Sequence, residues 1–364
     1  MRWSQKSGEP SHNHRMPDLH PGPVVLLSSG ETSPSGGQVF ETVVRRLASP
    51  PRVAILETPA GFELNSALVA GRVAEFLRRR LQNYRPDISL VPARKRNTPF
   101  SPEDPALMRP LLNADLIFMG PGSPTYAVRQ LADSRAWHTL IARHRLGATL
   151  VFASAATTAT GAHVLPVYEI YKVGEDPHWR PGLDLFGAYG LSLVLVPHWN
   201  NTEGGAEVDT SRCFMGQARF ATLLSLLPPG LTVVGIDEHS ALVVDFETAE
   251  CRVMGHGEVT LLKSGQEQHF AAGESFPATA LGPFLVQEMS AGIPSAVWEE
   301  VLAAQASAQV AQAPVPAEVI ALVEEREAAR ARRDWAAADQ LRERIAAAGW
   351  SVLDTPEGPR LEPK

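Results

Sequence analysis

Ser154, His198 and the pair Asp237-Glu238 are the residues of this chain whose types and surroundings suit nucleophilic catalysis. Ser154 stands in Phe152-Ala153-Ser154-Ala155-Ala156-Thr157-Thr158, a run of small residues directly after the apolar segment Ala148–Phe152. A serine set where a strand turns abruptly into a helix has its hydroxyl exposed, which is how a nucleophile elbow is built. Such a hydroxyl needs a base, and the base needs a carboxylate to orient it. His198 follows the apolar segment Leu191–Val196, and Asp237-Glu238 follow Thr232–Ile236. Another such segment, Asp115–Met119, leads into Gly120-Pro121-Gly122-Ser123-Pro124-Thr125-Tyr126. There the glycines let backbone N–H groups approach a ligand, and Pro124 suits the first turn of a helix. Each feature has a plainer reading. Small residues and threonines also begin ordinary helices, and a histidine beside Trp199 also serves as a hydrogen-bonded structural residue. Cys213 is a second candidate nucleophile or else a small core residue.

Neighbouring polar residues offer substrate contacts. Asn200, Asn201 and Glu203 make a loop suited to an amide or amino-acid substrate, or one that is merely solvated. Arg212 lies near an expected helix start with Asp209 as its N-cap, where it can pair with a substrate carboxylate. The polar and aromatic run Val167–Trp179, containing Glu169 and His178, is expected to line a pocket beside the serine.

These residues need elements to position them. Strands are expected at Pro23–Ser28, Arg52–Glu57, Ile88–Val91, Asp115–Met119, Ala148–Phe152, Leu191–Val196 and Thr232–Ile236, each without clean polar alternation, as in strands buried on both faces of a parallel sheet. Helical patterns lie between them, such as Leu64–Gln82 with Leu68, Val73, Phe76 and Leu77 on its apolar face. The alternation predicts an α/β fold with a doubly wound, mostly parallel sheet, whose site lies beyond the carboxyl ends of the strands. Ser154, His198 and Glu238 occupy three such ends. The Gly-rich turn at 29–37 matches neither nucleotide-binding glycine pattern, so no cofactor is expected. His163, His178 and His198 lack metal-ligand spacing, so no metal is expected either.

The chain has 364 residues, 44% hydrophobic and 20% charged, enough for a sizeable core. Its 33 Lys+Arg against 40 Asp+Glu give a formal charge of −7, which argues against general binding to nucleic acid or anionic membrane. No apolar run reaches the ~18 residues of a membrane span. Two cysteines, Cys213 and Cys251, make no disulfide framework and fit a reducing compartment, so a cytoplasmic location is expected. Residues 1–22 read as a disordered tail whose His12, His14 and His20 form at most a loose metal-collecting tract. The body is expected over 23–290, an Ala/Gln/Pro linker over 303–317, and a helical hairpin module over 318–362. In that module Asp334 is a natural N-cap, Gly349 a natural stop, and Trp335, Ala338, Leu341 and Ile345 one apolar stripe.

The order Gly-Pro-Gly-Ser-Pro-Thr-Tyr, a serine elbow, a histidine after a strand, and Gly235-Ile236-Asp237-Glu238-x-x-Ala241-Leu242 resembles the cyanophycinase and peptidase E family, over about residues 23–265. The resemblance implies a class I glutamine amidotransferase-like fold. It also implies a serine peptidase with Ser154 as nucleophile, His198 as base and Glu238 as orienting acid, Glu169 being the alternative acid. Backbone N–H groups of Ala155 and Gly122 would form the oxyanion hole, and the substrate would be a small peptide, amide or amino-acid conjugate. Two departures stand out: Phe152 and Ala156 occupy positions that are glycine in family elbows, so the pocket is expected to be narrowed or Ser154 drawn out of line. An inactive binding protein of the same fold is the alternative.

Near the other end, Ala329-Arg330-x-x-Arg333-Asp334-Trp335-x-x-Ala338-Asp339-x-Leu341-Arg342, then Asp354-Thr355-x-x-Gly358, resembles the C-terminal subdomain of cysteinyl-tRNA synthetases. That resemblance implies tRNA as a partner, with Arg330, Arg332, Arg333, Arg342 and Arg344 as a basic face. With eight Lys+Arg against ten Asp+Glu over 318–364, a docking or dimerisation module is the other reading.

Overall fold

The computed structural model describes residues 20–285, 288–312, 316–355 and 358–363. Its elements, in chain order, are β1 (Val24–Leu27), α1 (Pro34–Val44), β2 (Arg52–Leu56), α2 (Ser66–Arg80), β3 (Asp87–Val91), α3 (Pro105–Leu112), β4 (Leu116–Met119), α4 (Pro124–Leu131), α5 (Arg135–Arg145), β5 (Thr149–Ala153), α6 (Ala155–Ala159), β6 (His163–Val164), β7 (Arg180–Pro181), β8 (Leu193–Val196), α7 (Gly216–Ser225) and β9 (Thr232–Ile236). There follow β10 (Ser240–Asp245), β11 (Glu250–Gly255), β12 (Glu258–Lys263), β13 (Gln266–Ala271), β14 (Ser275–Pro277), α8 (Ser295–Gln312), α9 (Ala317–Ala331), α10 (Trp335–Ala347), β15 (Trp350–Thr355) and β16 (Gly358–Pro363).

The eight-stranded sheet runs β14-β11-β10-β1-β5-β4-β2-β3. From β1 to β3 every neighbour is parallel; β1, β5, β4 and β2 are buried on both faces, whereas β3, at the sheet edge, leaves Asp87 and Leu90 exposed, so the burial expected of Ile88–Val91 does not hold. One face carries Val25, Leu27, Val53, Ile55, Val151 and Ala153 against α1 and α2. The other carries Leu26, Leu56, Met119, Leu150 and Phe152 against α3 and α5 and against a second sheet, ordered β13-β12-β9-β8. β8 and β9 pair in parallel with each other but belong to this second sheet. The strands β10 to β14 are antiparallel additions to these two sheets.

The compact units divide at Trp298/Glu299. Residues 1–19 of the expected tail, His12 and His14 among them, lie outside the described residues. Pro21 and Gly22 are buried, and the Gly22 N–H donates to the His144 carbonyl at 2.8 Å, so the ordered body starts ahead of residue 23. Of the expected linker, residues 303–312 are helical, as part of α8. Alanine and glutamine are good helix formers, and that propensity prevails where no proline interrupts it. Residues 313–315 lie outside the described residues.

In the second unit α9 and α10 pack antiparallel-hairpin fashion with the β15–β16 ladder, burying Val319, Val323, Ile345, Trp350 and Val352. Asp334 caps α10 by accepting from the Ala337 N–H at 3.1 Å, and Gly349 has φ +84°. Ala338, Leu341 and Ile345 are buried as the stripe predicts, but Trp335 at its head is 59% exposed. Arg326 is a buried cation of this unit: its guanidinium makes a fork on both carboxylate oxygens of Asp354, each at 2.9 Å.

Candidate active site

The end of β5 builds the turn that holds Ser154. Ser154 has φ 53° and ψ −113°, a conformation that L-residues rarely adopt, costing roughly 1–3 kcal/mol that the surroundings must hold in place. They do so with hydrogen bonds. The Ser154 N–H donates to the Leu27 carbonyl at 3.0 Å, and the Thr157 hydroxyl donates to the carbonyls of Leu27 (2.8 Å) and Phe152 (3.0 Å). The two residues that replace elbow glycines cause no obstruction. Phe152 and Ala156 are both fully buried in the core shared with the second sheet, and neither lines the cavity in front of the serine. The expected narrowing does not occur, because alternate residues of a strand face opposite sides and position 152 faces the core.

Ser154 Oγ lies 2.9 Å from His198 Nε2, and His198 Nδ1 lies 3.0 Å from Glu238 Oε1. Three strand ends from two sheets thus meet in one hydrogen-bonded chain. The sheets are tied at this point by Ser28, a buried residue just past β1, whose Oγ accepts from the His198 N–H at 2.7 Å. The ring of His198 packs against Phe214 at 5.7 Å between centroids. Phe214 is held there by a short left-handed turn, with φ of 58°, 57° and 67° at Arg212, Cys213 and Phe214. Nothing in those residue types forecasts three successive left-handed positions.

Glu238 is held below the usual carboxylate range first by its hydrogen bond with His198, against the opposing effect of burial, and next by a bond from Asn201. Asn201 Nδ2 donates to Glu238 Oε1 at 2.8 Å, and Asn200 Oδ1 accepts from the Glu238 N–H at 2.8 Å. Both asparagines, expected to meet substrate, instead position the carboxylate. Glu203 does line the cavity. Arg212 does not: its guanidinium lies 3.8 Å from the Trp199 ring centroid, and its Nη1 donates to the Trp199 carbonyl at 3.1 Å. The expected helix begins later, at Gly216. Asp209 still serves it, accepting from the Gln217 N–H at 2.8 Å. Glu169 makes no bond to His198; its Oε1 accepts from the Thr125 hydroxyl at 2.6 Å. Cys213 is buried, and burial pushes its thiol up to about 12, so it is a thiol and not a thiolate at neutral pH.

The cavity in front of Ser154 has a volume of about 180 Å³ and opens to solvent. Gly122 and Ala155 line it, and neither N–H meets an acceptor among the described residues. Gly122 has φ +146°, and a Cβ there would stand 2.0 Å from the Pro59 carbonyl oxygen, so this turn requires glycine. Tyr168, Tyr171 and Lys172 from the run expected to line the pocket do so. Among the described residues no cluster of three His, Cys, Asp or Glu side chains is placed to hold a metal.

A peptidase from an acI-B1 Actinobacterium superposes with a TM-score of 0.58 at 22% identity, covering 71% of this chain and 98% of its own. The body has that peptidase's fold. The tail is similar to other proteins: residues 313–358 match the cysteinyl-tRNA ligase anticodon binding domain. The cysteine–tRNA ligase of Opitutus terrae is 60% identical over 52 residues, 14% of this chain and 11% of the ligase. Cysteine–tRNA ligase 1 of Burkholderia lata is 60% identical over 47 residues, 13% of this chain and 10% of the ligase. The chain thus spans about a tenth of the length of the curated relatives it matches. Among the described residues no helix is long and apolar enough to cross a membrane.

Proposed function

We propose that the body is a serine hydrolase acting on a small peptide, amide or amino-acid conjugate through Ser154, His198 and Glu238. The observation that carries this reading is the continuous chain Ser154 Oγ–His198 Nε2 and His198 Nδ1–Glu238 Oε1, at 2.9 and 3.0 Å, with the serine on a left-handed elbow. In the reaction Nε2 takes the hydroxyl proton as Oγ attacks the substrate carbonyl, and returns it to the leaving amine. Glu238 accepts from Nδ1–H and stabilises the imidazolium in between. The N–H groups of Gly122 and Ala155 stabilise the developing oxyanion, an effect worth ~3–4 kcal/mol per donor in comparable sites. Water then releases the acyl group with the same histidine as base.

Labelling the full chain with a fluorophosphonate tests this. Modification of Ser154, lost in His198→Ala, is the expected result; no modification of a folded chain, or modification that persists in Ser154→Ala, overturns it.

For the tail we propose contact with tRNA, supported by its match to the anticodon binding domain and by the exposed turn Arg332-Arg333-Asp334-Trp335. Arg330 and Arg344 of the expected basic face are engaged with Asp354 and Glu325, which leaves Arg332, Arg333 and Arg342 toward solvent. A gel shift with tRNA should weaken in Arg332→Gln/Arg333→Gln and lose salt dependence in proportion. Unchanged binding would remove the tail from the reading.

A further inference from the structure

Beside the serine's cavity lies a second one of about 420 Å³, and Tyr168 lines both. The two also take alternate residues of the same turn, Gly122 and Pro124 on the serine's side, Ser123 and Thr125 on the other. A molecule extending from Ser154 along this turn reaches the second cavity. Its wall carries an unusual combination of groups. Phe62 and Tyr126 pack at 5.1 Å between ring centroids, and Phe62 is half exposed. Arg129 is exposed, 5.1 Å from the Tyr126 ring centroid, and has no carboxylate partner among the described residues. Glu63 has no cationic partner among them either. Glu169 is four-fifths buried; Oε1 accepts from Thr125 and lies 3.6 Å from Arg180 Nη1, while Oε2 has no hydrogen-bond partner. The cavity therefore offers carboxylates, an unpaired guanidinium and aromatic faces together.

We propose that this second cavity is a subsite for the α-amino acid that hydrolysis releases, with its freed ammonium toward Glu169 and Glu63, its carboxylate toward Arg129, and an apolar side chain on Phe62 and Tyr168. This assigns Glu169 to product binding. It rests on the hydrolase reading for what happens at Ser154, but the binding itself does not need the serine.

Calorimetric titration of the full chain with L-phenylalanine, N-acetyl-L-phenylalanine and L-phenylalaninamide tests it. Free phenylalanine should bind one site per chain at least tenfold more tightly than either derivative, since each derivative removes one charge. Arg129→Gln should abolish discrimination against the amide, and Glu169→Gln discrimination against the N-acetyl compound. Arg129 is exposed, so its variant keeps the test valid if Glu169→Gln fails to fold by circular dichroism. No binding in the millimolar range, equal binding of all three compounds, or unchanged discrimination in Arg129→Gln overturns the subsite. Binding retained in Ser154→Ala, with no fluorophosphonate label on the wild type, would instead sink the hydrolase reading and leave the subsite standing. A label on Ser154 without amino-acid binding would do the reverse.

Discussion

Replacing Asn201 by alanine should slow fluorophosphonate labelling of Ser154 about tenfold and shift the acid-side loss of folding stability to higher pH. Asn201 is 2% exposed, and its Nδ2 donates to the same Glu238 oxygen that accepts from His198 Nδ1. A hydrogen bond to a charged group is worth ~1.5–3 kcal/mol. Glu238 is 29% exposed, so water takes the vacated position and the loss falls at the lower end, ~1.5 kcal/mol or about tenfold in rate. The other bond lost, from the Glu203 N–H to Asn201 Oδ1 at 3.1 Å, is at an exposed residue and is replaced by water. The sign of the pH effect follows from Glu238. Its carboxyl lies below the ordinary value because His198, and then Asn201, hydrogen-bond the charged form. A carboxyl depressed in the folded state contributes stability that is present above its unfolded value, ~4.3, and lost as pH falls through the folded value. Removing the Asn201 donor raises the folded value, so the acid-side loss begins at higher pH. Labelling rates at neutral pH and thermal unfolding across the acid range would show the two changes. An acid-side loss of stability that stays in place, or moves to lower pH, refutes the assignment of Asn201 as a positioning residue for Glu238.

Two further outcomes follow from side chains with extreme surroundings. Cys213, whose thiol burial raises to about 12, should resist iodoacetamide at neutral pH in the native chain and react once denaturant unfolds it; alkylation of the native protein, mapped by mass spectrometry, would contradict this. Asp354→Ala should leave the Arg326 guanidinium, 4% exposed, without its fork. Removing one partner of a buried pair costs ~3–5 kcal/mol, reduced here to about 2 because Asp354 is half exposed and Glu327 remains at 2.7 Å. Amide exchange over residues 319–354 should speed about 30-fold while the β1–β2 strands keep their protection, and unchanged exchange in the tail would rule out that role for the pair.

The strand ends carrying Ser154, His198 and Glu238 are legible because a buried parallel strand leaves a simple trace, an apolar run bounded by turn residues. The same trace hides which sheet a strand joins. β8 and β9 are buried on both faces, Leu195 and Val234 in one core cluster and Val194, Val196 and Val233 in another, so they read like β4 or β5. Loop residues are harder to place, since their partners lie far along the chain. Asn201 faces a carboxylate 37 positions away, and Arg212 is taken up by Trp199 instead of a ligand. The turn at 212–214 contains no glycine or asparagine to signal it. In the tail, helical spacing located Ala338, Leu341 and Ile345. It failed at Trp335 because a stripe read from period alone does not show where the partner helix stops.

Phe152 has a wider consequence. Its ring fills the core behind the elbow, opposite to the side on which Ser154 presents its hydroxyl, and the same holds for the smaller Ala156. The backbone shape of this turn and the bulk of its flanking residues are therefore separable: the residues at 152 and 156 are set by the packing behind the turn and not by the group in front. Search patterns that demand glycine on both sides of the serine will pass over such a chain. A criterion based on the serine's own backbone angles and its distance to an imidazole nitrogen will not.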